Sequence, residues 1–433
     1  MRRFPGLSAS VLGLLVVFAA CDDAKPDTKG KHAKADARGK PTKSGRKYDA
    51  KPDAKADAKA DAKTDAKTDA KADAKADAKV DAADEFAASR DETPVEVTAK
   101  PGTPEWFVQG LAAFRSGNID PIVANFAPDI VWDAVGSPLE PPSKGKAAVQ
   151  SRWEDLLTAI PDMKLHASRI FHQDDLVVLQ VVLTGTHKGD FRGMPATNKP
   201  LGAEVIAWVW HGKDGKAKKV RVVYNEAALL AQMGKLEGAE VPPIPAIPDG
   251  EPEIITGDSD AAATKVMKQM YAAGKNSWKL CQEKLCVADV VHHETGEGKT
   301  LKTTAEHEAG SAMFFTAFPD LRAKPQDVIS FGPDWVVTFM HAKGTHKGDM
   351  GPIKATKKKV NLAYSEVARL DGGKIAETWG YTNSLDMMAQ LGLFTAPPKP
   401  EKAGDAAAPR DEGKAAADDA KADAKDDAKA DAK

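Results

Sequence analysis

The pentapeptide Thr186-His187-Lys188-Gly189-Asp190 recurs 159 residues later as Thr345-His346-Lys347-Gly348-Asp349. Ala159-Ile160-Pro161-Asp162-Met163 returns as Ala317-Phe318-Pro319-Asp320-Leu321, and Gln232-Met233-Gly234 as Gln390-Leu391-Gly392, both at an offset of 158. Three landmarks in one order at nearly constant spacing mean one structural unit built twice. The copies are expected at residues 99–237 and 258–396. Between them, residues 238–257 carry Pro242, Pro243, Pro245, Pro248 and Pro252, which predicts a semi-rigid extended linker.

Within the first copy, period and punctuation predict the elements. Thr103 is an N-cap with Pro104 at the first helical position, and Phe107, Leu111 and Phe114 follow at helical spacing until Gly117. A second short helix is expected at 121–126 and a strand at 130–134. A longer helix sets Val149, Trp153, Leu156, Leu157 and Ile160 on one face and stops at Pro161. Strands are expected at 165–171, 176–186, 201–210 and 220–224, closed by a helix at 226–232. Helices first and long strands afterwards define an α+β domain, with helices on one face of a curved antiparallel sheet, made twice in tandem.

The ends have a different composition. Residues 1–20 read as a secretory signal, with Arg2 and Arg3 ahead of an apolar run too short to span a bilayer. Phe18-Ala19-Ala20-Cys21 resembles a bacterial lipobox, which implies cleavage before Cys21, acylation of that residue and attachment to a membrane of the cell envelope. Asp22 and Asp23 leave the choice between the periplasmic face of the inner membrane and the outer membrane open. Residues 21–98 and 397–433 are dominated by Asp-Ala-Lys units with almost nothing apolar to seed a core, and so read as solvated coil. The 61 Lys and Arg against 63 Asp and Glu, with no basic stretch among aromatics, exclude a nucleic-acid surface.

Three further runs complete the second copy's pattern: Gly344-Thr345-His346-Lys347-Gly348, Asp371-Gly372-Gly373-Lys374-Ile375, and Gln390-Leu391-Gly392. With Ala317-Phe318-Pro319-Asp320-Leu321, they make each copy similar to the SnoaL-like polyketide cyclases, or ester cyclases, of the nuclear transport factor 2-like fold. The first copy adds Gly193-Met194-Pro195-Ala196-Thr197-Asn198-Lys199, similar to the family's loop after the histidine strand but with Asn198 where glycine is usual. The resemblance implies a cone that takes a small, largely apolar ligand, no cofactor, and pairing through the sheet, so that two copies could form an internal pseudo-dimer. It also implies general acid/base chemistry by a carboxylate at the start of the last helix, assisted by the strand histidine, His187 or His346. The carboxylate position falls on Asn225 and Asn383, and an amide does not carry a proton near neutral pH. Asp386, one turn beyond Asn383, and Glu226, beside Asn225, are the carboxylates that could replace the lost acid.

Two readings follow: a lipid-tethered binding or interaction module, or an ester cyclase or isomerase on a small carbonyl compound. Trp132, Trp153, Trp208 and Trp210 are candidate linings of an aromatic pocket and His293 a further ligand contact, although most large aromatics on alternating faces are core. His292-His293-Glu294 with His307 suggests a metal, but neighbours on a strand point to opposite faces, so no metal is expected. Cys281 and Cys286 could pair in an oxidising compartment only if the helix breaks between them; Cys286 also aligns with Phe126, a plain packing role.

Overall fold

The computed structural model describes residues 95–397; Cys21, the signal and both Asp-Ala-Lys tracts lie outside them. The first domain begins with α1 (Pro104–Arg115), where the Thr103 side chain accepts from Trp106 N and Pro104 opens the helix, burying Trp106, Phe107, Leu111 and Phe114. After it come α2 (Asp120–Ala124), β1 (Phe126–Ala134), β2 (Ser143–Lys144) and α3 (Lys146–Ala159). The long strands β3 (Lys164–Gln173), β4 (Leu176–Thr186), β5 (Pro200–His211) and β6 (Ala217–Val223) lead to α4 (Glu226–Gln232).

The connector differs from the expected linker. Residues Glu253–Thr256 form β7, parallel to β3 at the sheet edge, with Ile255 buried and Arg169 bonded to Glu253 at 3.2 Å. The β-branched pair Ile254-Ile255 finds an unpaired edge there, and edge pairing outweighs the linker composition.

The second domain repeats the plan with α5 (Ala261–Ala272), capped by Asp260, then α6 (Ser277–Leu280) and a wide helical turn over 281–285. β8 (Cys286–Glu294), β9 (Lys299–Leu301), α7 (Thr304–Ala317), β10 (Arg322–Phe331), β11 (Trp335–Thr345), β12 (Lys359–Asp371), β13 (Lys374–Thr382) and α8 (Ser384–Gln390) complete it. The sheets run β2-β1-β6-β5-β4-β3-β7 and β10-β11-β12-β13-β8-β9. They are mainly antiparallel, as expected, but β1 joins β6 and β8 joins β13 in parallel: the helix after each first strand delivers the chain to an opposite-running strand, and three antiparallel reversals then bring it back parallel.

Strand alternation gives each sheet two apolar faces. On β5, Leu201 and Val209 face the helices, while Ile206 and Trp208 face away. The outward faces of the two sheets share one core of Phe171, Ile206 and Trp208 with Phe331, Val337 and Phe339. Hydrogen bonds cross it from Trp208 Nε1 to Ser365 Oγ at 3.1 Å and from Gln180 Nε2 to Tyr381 Oη at 2.7 Å. Among the described residues no helix is long and apolar enough to cross a membrane.

Candidate functional site

A cavity of about 180 Å³ lies inside the first cone, between α1, α3 and the inward face of the sheet. Its walls are mostly apolar, with Trp106, Phe107, Leu111, Leu179, Val181 and Val209 among them. Its polar positions are Asn125, Glu140, Arg152 and Tyr224, together with the indoles of Trp132 and Trp153.

Arg152 reaches the cavity because it sits in the apolar stripe of α3, between Val149 and Trp153 on one side and Leu156 on the other. Its guanidinium is ion-paired with Glu140 and lies over the Trp132 ring, 5.7 Å from the centroid. Arg192, on the loop after β4, holds the other oxygen of Glu140 at 3.0 Å and also donates to Leu139 O. Burial pulls both guanidinium pKa values down, which leaves them cationic at neutral pH. Behind this group, Ser137 Oγ donates to Glu226 Oε1 at 2.5 Å and accepts from Glu140 N at 2.8 Å. Tyr224 Oη is 3.4 Å from both Glu140 Oε2 and Glu226 Oε1. Burial pushes the Glu226 pKa up, against the hydrogen bonds from Ser137 and Asn383 that lower it.

Glu226 itself does not line the cavity, although Tyr224 beside it does. Its second oxygen accepts from Asn383 Nδ2 at 2.9 Å, a bond between the domains. Asn225 and Asn383 exchange caps: Asn383 Oδ1 accepts from Glu226 N, and Asn225 Oδ1 from Ser384 N, each at 3.2 Å. Asn225 also donates to Gly296 O at 3.0 Å. Both therefore stand at the junction between domains and not on the cavity wall. Asp386 is there too, against Gly136, bonded to Gln390 and raised to about 6 by burial.

The strand histidines are likewise outside the cavity. His187 is fully buried with Nδ1 3.1 Å from Thr197 Oγ1, and its carbonyl accepts from Thr197 N and Asn198 N. His346 repeats this with Thr356, and its carbonyl accepts from Lys357 N. Asn198 and Lys357, at matching positions of the two copies, both have positive φ, 53° and 61°. Burial lowers both histidine pKa values, so the neutral rings serve as the hub of a loop.

The second cone is filled. Val205 and Ala207 of the first copy align with Tyr364 and Glu366, and Trp132 with His292. Tyr271 Oη donates to Glu366 Oε2 at 2.5 Å, burial raises Glu366 to about 7, and the pocket that Met267, Trp278, His292, His307 and Glu366 line holds about 20 Å³. His292 points inward to Glu294 at 3.0 Å, whereas His293 points outward, 2.9 Å from Glu377 and stacked on Trp379. Among the described residues no group of three His, Cys, Asp or Glu side chains converges on a metal position. Cys281 and Cys286 are joined by a disulfide, the wide turn over 281–285 breaking the helix between them.

Of the residues singled out from sequence, the cavity uses Trp132 and Trp153; Glu140, Arg152, Arg192 and Tyr224 were missed. Arg152 had a signal, a cation inside the apolar stripe 149-153-156-160 of a helix. Glu140 had none, since Ser137 and the arginines that hold it are distant in sequence or in loops.

Two tandem α+β domains, each with helices on a curved sheet, define the class of fold. The SnoaL-like polyketide cyclase model matches residues 107–233 and 265–391, more than half of the chain, and the protein belongs to that family. Among solved structures it is similar to AclR, a putative hydroxylase from Streptomyces galilaeus, at 27% identity over 29% of this chain and 90% of that one (TM-score 0.26). It is also similar to IdmH, a putative polyketide cyclase from Streptomyces antibioticus, at 25% identity over 29% and 93% (TM-score 0.26). A putative SnoaL-like polyketide cyclase from Jannaschia matches at 17% identity over 32% and 95% (TM-score 0.27). Comparison with curated protein sequences gives no match.

Proposed function

We propose that this is a lipid-anchored envelope protein whose first domain binds a small, largely apolar molecule within its cone, while the second is a filled partner that braces it as an internal pseudo-dimer. The cavity of about 180 Å³ carries this reading, because a void of that size lined by apolar side chains is otherwise a cost in stability. The lipid anchor is supported by Phe18-Ala19-Ala20-Cys21. Mass spectrometry of the mature amino terminus should find a diacylglyceryl Cys21, and an unmodified terminus at any other residue would remove the anchor.

A second reading, a cyclase or isomerase working by general acid/base chemistry, draws on family membership and on Glu226, a buried carboxyl of raised pKa that reaches the cavity through Tyr224. Binding alone is favoured: neither histidine nor either asparagine lines the cavity. One titration separates the readings. The ketone 2-acetylnaphthalene should quench tryptophan fluorescence saturably through Trp132 and Trp153, and Ala207→Phe, which puts a ring into the void, should weaken binding at least tenfold. In deuterated buffer, unchanged methyl proton signals of the bound ketone support a binder. Enzyme-dependent exchange that disappears in Glu226→Gln would make it an enzyme, and no saturable quenching would sink both.

A further inference from the structure

Inside the first cone are hydrogen-bonding atoms that the protein does not satisfy. Trp132 Nε1 and Trp153 Nε1 are buried donors with no acceptor, and both indoles belong to the cavity wall. Their rings meet edge to face with centroids 5.5 Å apart, and Arg152 lies over Trp132. The two indoles and the Arg152 guanidinium therefore lie together on one part of the cavity wall. An indole N–H can only donate, and a guanidinium has five donors, more than one carboxylate can use. Buried donors are normally matched, at about 1–3 kcal/mol for each one left unmatched. The charges near this end are Glu140 and Glu226 against Arg152 and Arg192, with Asp133 facing Arg152 and Asp155 facing Arg192. Of these carboxylates, only Glu140 belongs to the wall, and both arginines already engage it.

Size is the second constraint. An apolar cavity of about 150 Å³ is known to admit benzene, so about 180 Å³ holds on the order of ten non-hydrogen atoms, one ring or a fused pair.

We propose that the first cone is a site for a one- or two-ring hydrophobic carboxylic acid, its ring body among the apolar side chains and its carboxylate on Arg152 and the indole N–H groups of Trp132 and Trp153. This rests on the binding reading above and names its ligand class. The second cone lacks the site, because Gly310 and Ser311 align with Arg152 and Trp153 and His292 aligns with Trp132.

The test compares 2-naphthoate with 2-methylnaphthalene, two probes of similar shape that differ in the carboxylate, by calorimetric titration of the full chain. The acid should bind at least tenfold more tightly than the hydrocarbon. Trp153→Phe, which keeps a ring and removes the donor, and Arg152→Met, which keeps the stem and removes the charge, should each weaken the acid about tenfold and shift the hydrocarbon less than twofold. Trp153→Phe leaves the Arg152–Glu140 pair intact, so it stays informative if Arg152→Met does not fold. Equal affinity for the two probes overturns the carboxylate assignment and leaves the binding reading standing. If neither probe binds, both are overturned.

Discussion

The Asn383 amide donates to Glu226 Oε2 at 2.9 Å while accepting from the backbone N–H groups of Glu226 and Leu385. A carboxylate could keep both acceptances but has no proton to give, and would set two acceptors face to face in a buried place. The position that the family resemblance gives to a catalytic acid therefore holds an amide here for a local reason: the neighbouring carboxylate is already present as Glu226. Asn383→Asp should cost about 2–3 kcal/mol at pH 8. Like charge and burial raise the folded-state pKa of the new pair, so its stability is greatest at low pH and is lost as pH rises through the folded value. The deficit should thus shrink towards pH 5, where the pair shares a proton. Urea midpoints at the two pH values decide it, and a deficit equal at both would mean that the amide does not serve the Glu226 carboxylate. The exchanged pair, Glu226→Gln together with Asn383→Asp, is the control, because one amide again faces one carboxylate, and its deficit should change less with pH.

At the scale of elements, the three motifs that revealed the repeat turn out to be pins between elements. Thr186 N donates to Asp162 Oδ1 at 2.7 Å and Thr345 N to Asp320 Oδ1 at 2.8 Å, so the Pro-Asp turn after each long helix holds the end of the histidine strand. Lys188 N and Gly189 N both donate to Ala159 O, and a Cβ at Gly189 or Gly348 would come within 2.1 Å of the Thr158 or Thr316 carbonyl. Gln232 and Gln390 tie the last helix to β5 and β12 through Gly202 N and Asn361 N. Such contacts are legible in a sequence because each depends on a fixed residue type at a fixed offset, and so the order of elements and the two-domain plan were legible as well. What filled each cone was not. Ala207 against Glu366 and Val205 against Tyr364 are single exchanges on strands of the same pattern, and their effect depends on which side chains meet across the cone. Likewise β7 could not be read from its proline-rich surroundings, since its pairing depends on a free edge at β3, far away in sequence.

For the molecule as a whole, the sheet-to-sheet core decides how the two domains share stability. Phe171 meets Phe331 at 5.3 Å and Trp335 at 5.5 Å between ring centroids. Arg221 bonds Asp327 at 2.7 Å and lies 3.7 Å from the Phe339 centroid, and Arg169 lies 4.2 Å from that of Trp379. Burying one aromatic side chain is worth roughly 2–3 kcal/mol, and several are buried from each side, so separating the sheets while leaving both folded would cost a large part of a typical domain's stability. The domains are therefore expected to unfold together. Hydrogen exchange followed by mass spectrometry across a urea series should show protection of β4–β5 and of β11–β12 disappearing at one common midpoint. Trp208→Ala, which removes the fully buried ring and its bond to Ser365 Oγ, should lower both midpoints equally, by about 3–5 kcal/mol in stability. Midpoints that split in the parent chain, or a Trp208→Ala loss confined to β4–β5, would mean that the hollow domain stands without its filled partner and that the asparagine exchange at Asn225 and Asn383 is too weak to couple them.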